Sequence, residues 1–351
     1  MRQYKNDIEQ AVVEITNRCN LRCPHCASAS GAARKDEMSL PEIRKLMRDL
    51  AGLGCRMVTL LGGEFLLRPD WYDVAKTVKD AGMRLNLITN GILVSEEVRK
   101  QFKALEPAAV GVSIDGATPE SYRAVRGVDG YAKCRRLLDE LVEDGIRQVN
   151  AITTFSSRNL GDFDSFVADF TGRPFVWQVQ LVHRAGERFD ESLLLTKAQY
   201  EWYVERVTRC IRDLNGRLNI RTMDDFGYFP LTPDLAFLCQ IWDGCPAGRR
   251  VIGVRANGDV LPCLSLGSEF VEDNIRRRTL ACIWRDPNSF ARFRNKTDRD
   301  LTGKCAKCPM AGKCRAGCSA AAISTSGRLS ETCFCIRQLE TARILNDMLV
   351  D

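Results

Sequence analysis

The sequence predicts an α/β fold: an open, partial (β/α)6 barrel over its first half, followed by a smaller, cysteine-rich domain. Three observations predict it. Short apolar runs alternate with amphipathic stretches as far as about residue 215, two of the helical stretches stop at Gly82 and Gly145, and ten of the sixteen cysteines fall between residues 239 and 335. Such alternation argues for parallel strands joined by right-handed helical crossovers.

The strand runs are AVVEIT (11–16), MVTLL (57–61), RLNLIT (84–89), AVGVSI (109–114), QVNAITT (148–154) and VWQVQLV (176–182). Between them, LPEIRKLMRDLAGLG, WYDVAKTVKDAG, SEEVRKQFKAL and YAKCRRLLDELVEDG carry apolar residues at helical spacing. Glycine ends a helix readily because it reaches the left-handed conformation without a Cβ clash. KAQYEWYVERVTRCIRDL closes the pattern, and a segment of Gly, Pro, Asp and Cys begins. The expected division is 1–215 for the barrel, 216–238 for a bridging segment and 239–351 for a loop-rich domain held together by metal.

Composition narrows the function. The chain has 351 residues and a formal charge of +6, from 51 basic and 45 acidic residues, and its densest basic run is the three arginines at 276–278. A dispersed excess of this size describes a solvated surface, so no nucleic-acid partner is expected. The opening MRQYKNDIEQ has no apolar run, and nothing approaches the roughly 20 apolar residues of a membrane span, so neither a signal peptide nor a membrane association is expected. A cytoplasmic location is the expectation. In that reducing setting sixteen cysteines point to metal or redox chemistry rather than disulfides. His25 and His183 are the only histidines, so whatever binds does so through thiolate sulfur.

In parallel α/β folds, sites form at the C-terminal ends of strands. NRCNLRCPHC follows the first strand directly and puts Cys19, Cys23 and Cys26 on the first such loop. Closely spaced thiolates suit zinc or an iron–sulfur cluster. Each of a cubane's four irons needs one outside ligand, so three cysteines leave one iron open to a substrate or cofactor. The alternative is a zinc knuckle completed by His25.

C-x3-C-x2-C behind the first strand of a partial, TIM-like barrel resembles the radical S-adenosylmethionine (SAM) superfamily, in which the position of His25 is usually aromatic. The resemblance spans about residues 8 to 200. It implies that SAM is the fourth ligand, through its amino nitrogen and carboxylate oxygen. It further implies that the reduced cluster passes an electron to the sulfonium, so that a 5′-deoxyadenosyl radical abstracts hydrogen from the substrate. An electron donor such as flavodoxin or ferredoxin goes with this chemistry. Other segments fall where that family places its SAM contacts: Gly62, Gly63 and Glu64 after the second strand, Asn90 in TNG after the third, Ser113 and Asp115 in SIDG at the end of the fourth, and Arg126 in RAVRG. The glycines would let backbone groups approach the methionine amino group. Ser113 and Asp115 would meet the ribose or carboxylate, and Arg126 would pair with the carboxylate. Phe65 stands where the family usually has Pro.

CPAGRRVIGVRANGDVLPC (245–263), CAKCPMAGKCRAGC (305–318) and CFC (333–335) are similar to the SPASM extension, a C-terminal iron–sulfur module with two auxiliary [4Fe-4S] clusters. The resemblance thus implies three [4Fe-4S] clusters in all. The first auxiliary cluster would use Cys239, Cys245, Cys263 and Cys318. The second would use Cys305, Cys308, Cys314 and Cys335, the last preferred over Cys333 because an aromatic residue, here Phe334, commonly precedes it. Cys55, Cys134, Cys210, Cys282 and Cys333 remain, and read mostly as small buried apolar side chains. A zinc-ribbon DNA-binding module and an electron-carrying iron–sulfur protein without SAM chemistry are the alternatives from other classes.

Enzymes with this extension often crosslink ribosomally made peptides; others oxidise or rearrange small molecules, including sugars, or act on porphyrin precursors. Peptide modification is the expectation. Only 18 residues precede Cys19, so a separate peptide-recognition protein, or direct binding in the barrel, is expected in place of a fused recognition domain. Leu264 stands where sulfatase-maturing members carry an aspartate base, which argues against that activity. Asp224, Asp225 and Tyr228 in MDDFGYF are candidates for substrate contact or catalysis, with a surface acidic turn as the alternative. Trp177, His183 and Arg184, on or just after the sixth strand, are further candidates.

Overall fold

The structure, a computed structural model, describes residues 7–223, 225–239 and 242–350, apart from the side chains of Cys239 and Val350. Its described residues form two compact units. The first gathers residues 7–152, Ala185–Phe189 and Pro246–Asn295; the second gathers Thr153–Arg184, the described part of Asp190–Cys245, and residues 296–350.

In the first unit, β1 (Gln10–Glu14), β2 (Met57–Leu61), β3 (Arg84–Thr89), β4 (Ala109–Ser113) and β5 (Val149–Phe155) pair in parallel and in chain order, β5 running on past Ile152 into the second unit. The connecting helices are α1 (Leu40–Gly52), α2 (Trp71–Asp80), α3 (Glu96–Leu105), α4 (Pro119–Arg126) and α5 (Tyr131–Glu143). Helix α1 shows why these segments are helical. Glu42 accepts from the Ser39 backbone N–H at 2.8 Å, Pro41 lies in the first turn, and Ile43, Leu46, Met47 and Leu50 form one buried stripe. Helix α4 is short, eight residues with Tyr122 and Val125 as its buried apolar pair. Local chemistry builds it: the Ser121 N–H donates to Thr118 Oγ1 at 3.1 Å, and Gly127 stops the helix at φ 79°. Arg126 is its last residue, which is how that side chain is aimed.

Strand β1 has a second parallel partner, β8 (Val251–Val254), with Ala11 opposite Ile252 and Val13 opposite Val254. Asn257 and Gly258 turn β8 into antiparallel β9 (Asp259–Leu261), which pairs with β10 (Asp273–Asn274). Gly258 takes φ 86°, as a tight hairpin requires. Short helices α8 (Leu280–Arg285) and α9 (Ala291–Arg294) complete this unit. Residues 246–295 therefore belong to the first unit with the parallel strands, and β8 covers an edge of β1 that would otherwise be unpaired.

In the second unit, β6 (Val176–Leu181) pairs in parallel with β7 (Ile220–Thr222), and α6 (Phe163–Phe170) and α7 (Lys197–Asp213) complete the strand–helix series. All six strand runs read from the sequence are found within two residues of their expected bounds. An aromatic core holds this unit. The Trp177 ring lies 5.2 Å from Phe163 and 5.6 Å from Phe170, and its indole N–H donates to Thr153 Oγ1 at 3.0 Å. Trp177, expected as a possible substrate contact, is fully buried there.

Beyond Lys296 the elements shorten to α10 (Gly303–Ala306), α11 (Ala311–Cys314) and α12 (Ser319–Ser326), before the longer α13 (Ile336–Val350). Four-residue helices do not stand alone in water. The apolar cluster beneath them is small, Leu301, Cys305 and Ala316 with Ala311 against it. Arg315 and Ala316 are held at φ 53° and 62°, a left-handed geometry that costs a non-glycine residue about 1–2 kcal/mol. Such a segment needs a further tie, and its cysteines supply the groups for one. Among the described residues no helix is long and apolar enough to cross a membrane.

Candidate active site

The loop after β1 is fastened at its base. The Gly31 N–H donates to Asn17 O at 3.0 Å, the Cys19 N–H donates to Gly31 O at 3.1 Å, and Ser30 Oγ donates to Asn17 Oδ1 at 2.9 Å. Glu37 braces it from outside, accepting from Thr16 Oγ1 at 2.9 Å and from the Asn17 and Arg34 N–H groups at 2.7 and 2.9 Å. With its ends held, the loop presents three thiols on one short arc. Backbone N–H groups of Leu21 and Ser30 donate to Cys19 Sγ and Cys26 Sγ, both at 3.4 Å. Arg126 Nη1 lies 3.9 Å from Cys23 Sγ. Burial pushes the Cys19 thiol up to about 11 and raises that of Cys23, so these sulfurs hold negative charge when metal replaces the proton.

The ends of three further strands converge on this loop. Gly63 and Glu64 donate their N–H groups to Thr16 O and Arg18 O, each at 2.8 Å. A Cβ on Gly62 would lie 2.4 Å from Thr16 O, and one on Gly63 2.3 Å from Arg18 O. The cysteine loop's own backbone thus requires these glycines, a reason the sequence alone does not reveal. Glu64 is fully buried and accepts from Thr89 Oγ1 at 2.9 Å and the Asn90 N–H at 2.7 Å. Burial lifts its carboxyl to about 7. Asn90 reaches back to the loop, its Nδ2 donating to Asn20 Oδ1 at 2.8 Å and standing 3.9 Å from Cys19 Sγ. Asp115 is fully buried, with Arg126 Nη2 at 2.5 Å and His25 Nε2 at 3.1 Å from its Oδ2. His25 therefore faces Asp115, which opposes the zinc-knuckle alternative. Ser113 ends β4, half-buried.

Two contributors escaped the sequence reading. Cys134 on α5 donates its S–H to Asn90 O at 3.3 Å and meets the Tyr122 hydroxyl at 3.4 Å, so it steadies the Asn90 loop. A lone cysteine on an amphipathic helix gives no signal of this. The other is Ala185–Phe189. Gly186, at φ 82°, passes so close that a Cβ would lie 2.5 Å from Cys26 O, and Arg188 Nη2 donates to Ser30 O at 2.6 Å. The glycine just after the sixth strand run was the available clue.

Three soft thiols from one loop, with N–H donors at two and a guanidinium beside the third, fit an iron–sulfur cluster. Asn90, Asp115 and Arg126 supply polar groups beside it for a charged cofactor.

In the second unit, Cys335 is pushed up to about 11 by burial, with Cys305 and Cys308 adding in the same direction. Cys314 is pushed up to about 12 by burial, with Cys335, Cys305 and Cys308 adding. These four thiols lie within each other's field. Cys333 is exposed, and the charged groups acting on it are Glu331 and Lys304. The aromatic residue between the two cysteines has a visible role: Phe334 stacks on Tyr200 at 4.3 Å and 5°, pinning the chain just before Cys335. Cys335→Ala is therefore expected to lower the iron content of the reconstituted protein, while Cys333→Ala keeps it; iron analysis of the two single variants showing the reverse would exchange the assignments. Cys245 and Cys318 are half-buried in this unit, and Cys263 is half-buried in the first. The side chain of Cys239 lies outside the described residues, as does Asp224. Among the described residues no three His, Cys, Asp or Glu side chains converge to hold a single metal ion.

The remaining candidates are placed as follows. Asp225 is buried, accepting from the Leu181 N–H at 2.5 Å with His183 Nε2 at 3.8 Å, so it caps the end of β6. Tyr228 stacks on Trp242 at 3.5 Å, and the Trp242 indole N–H donates to Cys314 O at 3.4 Å. Arg184 pairs with Glu191 at 2.6 Å on the surface.

The radical SAM superfamily matches residues 13–170. The iron–sulfur cluster-binding SPASM domain matches residues 245–309. With the thiol loop and the strand-end residues around it, these matches show a radical SAM domain followed by a SPASM domain, and with them an enzyme that uses SAM and iron–sulfur clusters. The chain is 29% identical over 349 residues to the AdoMet-dependent heme synthase of Methanosarcina barkeri, covering 92% of this chain and 95% of the relative. It is 27% identical over 330 residues to the PqqA peptide cyclase of Xanthomonas axonopodis pv. citri, covering 90% and 84%. Its fold is similar to that of Streptococcus suis SuiB bound to precursor peptide SuiA, with a TM-score of 0.76 and 17% identity over 95% of this chain and 76% of that one.

Proposed function

We propose that this enzyme modifies a ribosomally made peptide by radical chemistry, with one SAM-binding and two auxiliary [4Fe-4S] clusters. The observation that carries the chemistry is the three-thiol loop ringed by Glu64, Asn90, Asp115 and Arg126; the substrate class follows the likeness to a peptide cyclase over most of the chain. Cys19, Cys23 and Cys26 would hold the first cluster. Cys239, Cys245, Cys263 and Cys318 would hold one auxiliary cluster, and Cys305, Cys308, Cys314 and Cys335 the other. Bound SAM, given an electron, supplies the 5′-deoxyadenosyl radical that takes hydrogen from the substrate. Arg126 is oriented by Asp115 to receive a carboxylate, and Glu64 fixes Asn90 against the cysteine loop. A separate peptide-recognition protein and a flavodoxin- or ferredoxin-type donor would complete the system, in the reducing cytoplasm that sixteen cysteines suit. One observation favours a second reading, a tetrapyrrole-type small molecule: the likeness to a heme synthase.

Anaerobically reconstituted protein is expected to hold about twelve irons, four per cubane. Given reductant, SAM and a deuterated candidate precursor peptide, it is expected to carry deuterium into 5′-deoxyadenosine as the peptide mass changes. Deuterium arriving from a porphyrin precursor and none from the peptide would establish the second reading. Zinc in place of iron would reject both.

A further inference from the structure

Lys296 lies in the second unit, two residues after α9, and the mechanism gives it no task. The residue is 9% exposed, and among the described residues its Nζ has no hydrogen-bonding partner. An ammonium taken out of water costs several kcal/mol unless an opposite charge answers it. The groups whose fields favour its charge are four thiols: Cys245, Cys314, Cys305 and Cys318. Two belong to one auxiliary ligand set and two to the other. The exposed carboxylate of Asp300 also feels Lys296, too solvated to replace a buried partner.

We propose that Lys296 is a counter-charge shared by the two auxiliary clusters, raising the reduction potentials of both. This rests on the two-cluster reading of the cysteine-rich region. A cubane held by four thiolates is a dianion when oxidised and a trianion when reduced. A fixed cation near both therefore stabilises each reduced form more than the oxidised one, and net charge is among the factors that set such potentials. The same placement explains why a buried ammonium lacks a conventional partner: thiolates bound to iron supply the negative charge. Lys296 is a positioning residue, acting through the field and not through contact with substrate.

The test uses the full chain, anaerobically reconstituted, as wild type, Lys296→Met and Lys296→Arg. Iron is counted, and each cluster's potential is followed by redox titration with electron paramagnetic resonance. Lys296→Met is expected to move both auxiliary potentials downward while the SAM-binding cluster stays in place. Lys296→Arg, which keeps the charge, is expected to restore them. Loss of auxiliary iron in Lys296→Met with retention in Lys296→Arg would also support the counter-charge. Unmoved potentials with full iron, a shift in one cluster alone, or equal shifts or equal iron loss in both variants would overturn it. A wild type with about four irons would instead overturn the auxiliary reading, and this inference with it.

Discussion

Cys23→Ala is expected to abolish the release of methionine and 5′-deoxyadenosine from SAM by the reduced protein. Loss of an outer-shell partner at a metal site costs roughly 10–100-fold, so loss of a ligand is expected to cost more than about 100-fold. The reason lies in what stands near the sulfur. Cys23 is buried, and Arg126 is 3.9 Å from its Sγ. A guanidinium cannot bind iron. His25, the nearby imidazole, is directed at Asp115 at 3.1 Å. The carboxylate whose field reaches Cys23, Asp115, is already held by Arg126 at 2.5 Å and by His25, while the hydrogen bonds that shape the loop, at Asn17, Cys19, Ser30 and Gly31, do not involve the Cys23 side chain. The variant is therefore expected to fold and to lose the iron of this loop while any iron bound by the proposed auxiliary clusters stays. Product analysis by chromatography, with iron analysis alongside, checks this. Cleavage at the wild-type rate would show that SAM is handled elsewhere.

The parts of this protein legible in its sequence are those fixed by neighbours along the chain. Strand runs announce themselves by β-branched density, α1 by its stripe and cap, and the cysteine loop by spacing. Contacts between distant segments are not written that way. The pairing of β8 with β1 joins residues about 240 apart, and a short VIGV run carries no mark of its partner. Helix α4 is eight residues long with one buried apolar pair, Tyr122 and Val125, too short a run for a pattern to establish it, and its caps hold it. Cys134 and Arg188 act on the site through a carbonyl each, Asn90 O and Ser30 O, and a bond to backbone leaves no requirement on the residue that receives it. Trp177 shows the converse error: an aromatic residue on a site-bearing strand resembles a binding residue until its ring is seen among Phe163 and Phe170.

Gly63→Ala is expected to be nearly as damaging as loss of a ligand, and by a different route. The added Cβ would sit 2.3 Å from Arg18 O, 2.7 Å from Arg18 C and 2.8 Å from Asn17 O. All three are backbone atoms, so no side-chain rotation relieves the overlap. Either the GGE segment or the cysteine loop must withdraw. Withdrawal strains the bonds from the Gly63 and Glu64 N–H groups to Thr16 O and Arg18 O, each 2.8 Å long and worth about 1 kcal/mol. Overpacking of this kind typically costs about 1–3 kcal/mol, and here the displaced backbone carries Cys19 with it. The first site is expected to lose iron, and the urea midpoint of the first unit is expected to fall. Gly52→Ala is the matched control. Gly52 is exposed, ends α1, and would have nothing within 4 Å of its new Cβ. Alanine in a helix is favoured over glycine by about 0.5–1 kcal/mol, so this variant is expected to be slightly more stable, with unchanged iron. A Gly63→Ala protein with the wild-type midpoint and wild-type iron would mean that the cysteine loop does not need the close approach of that backbone.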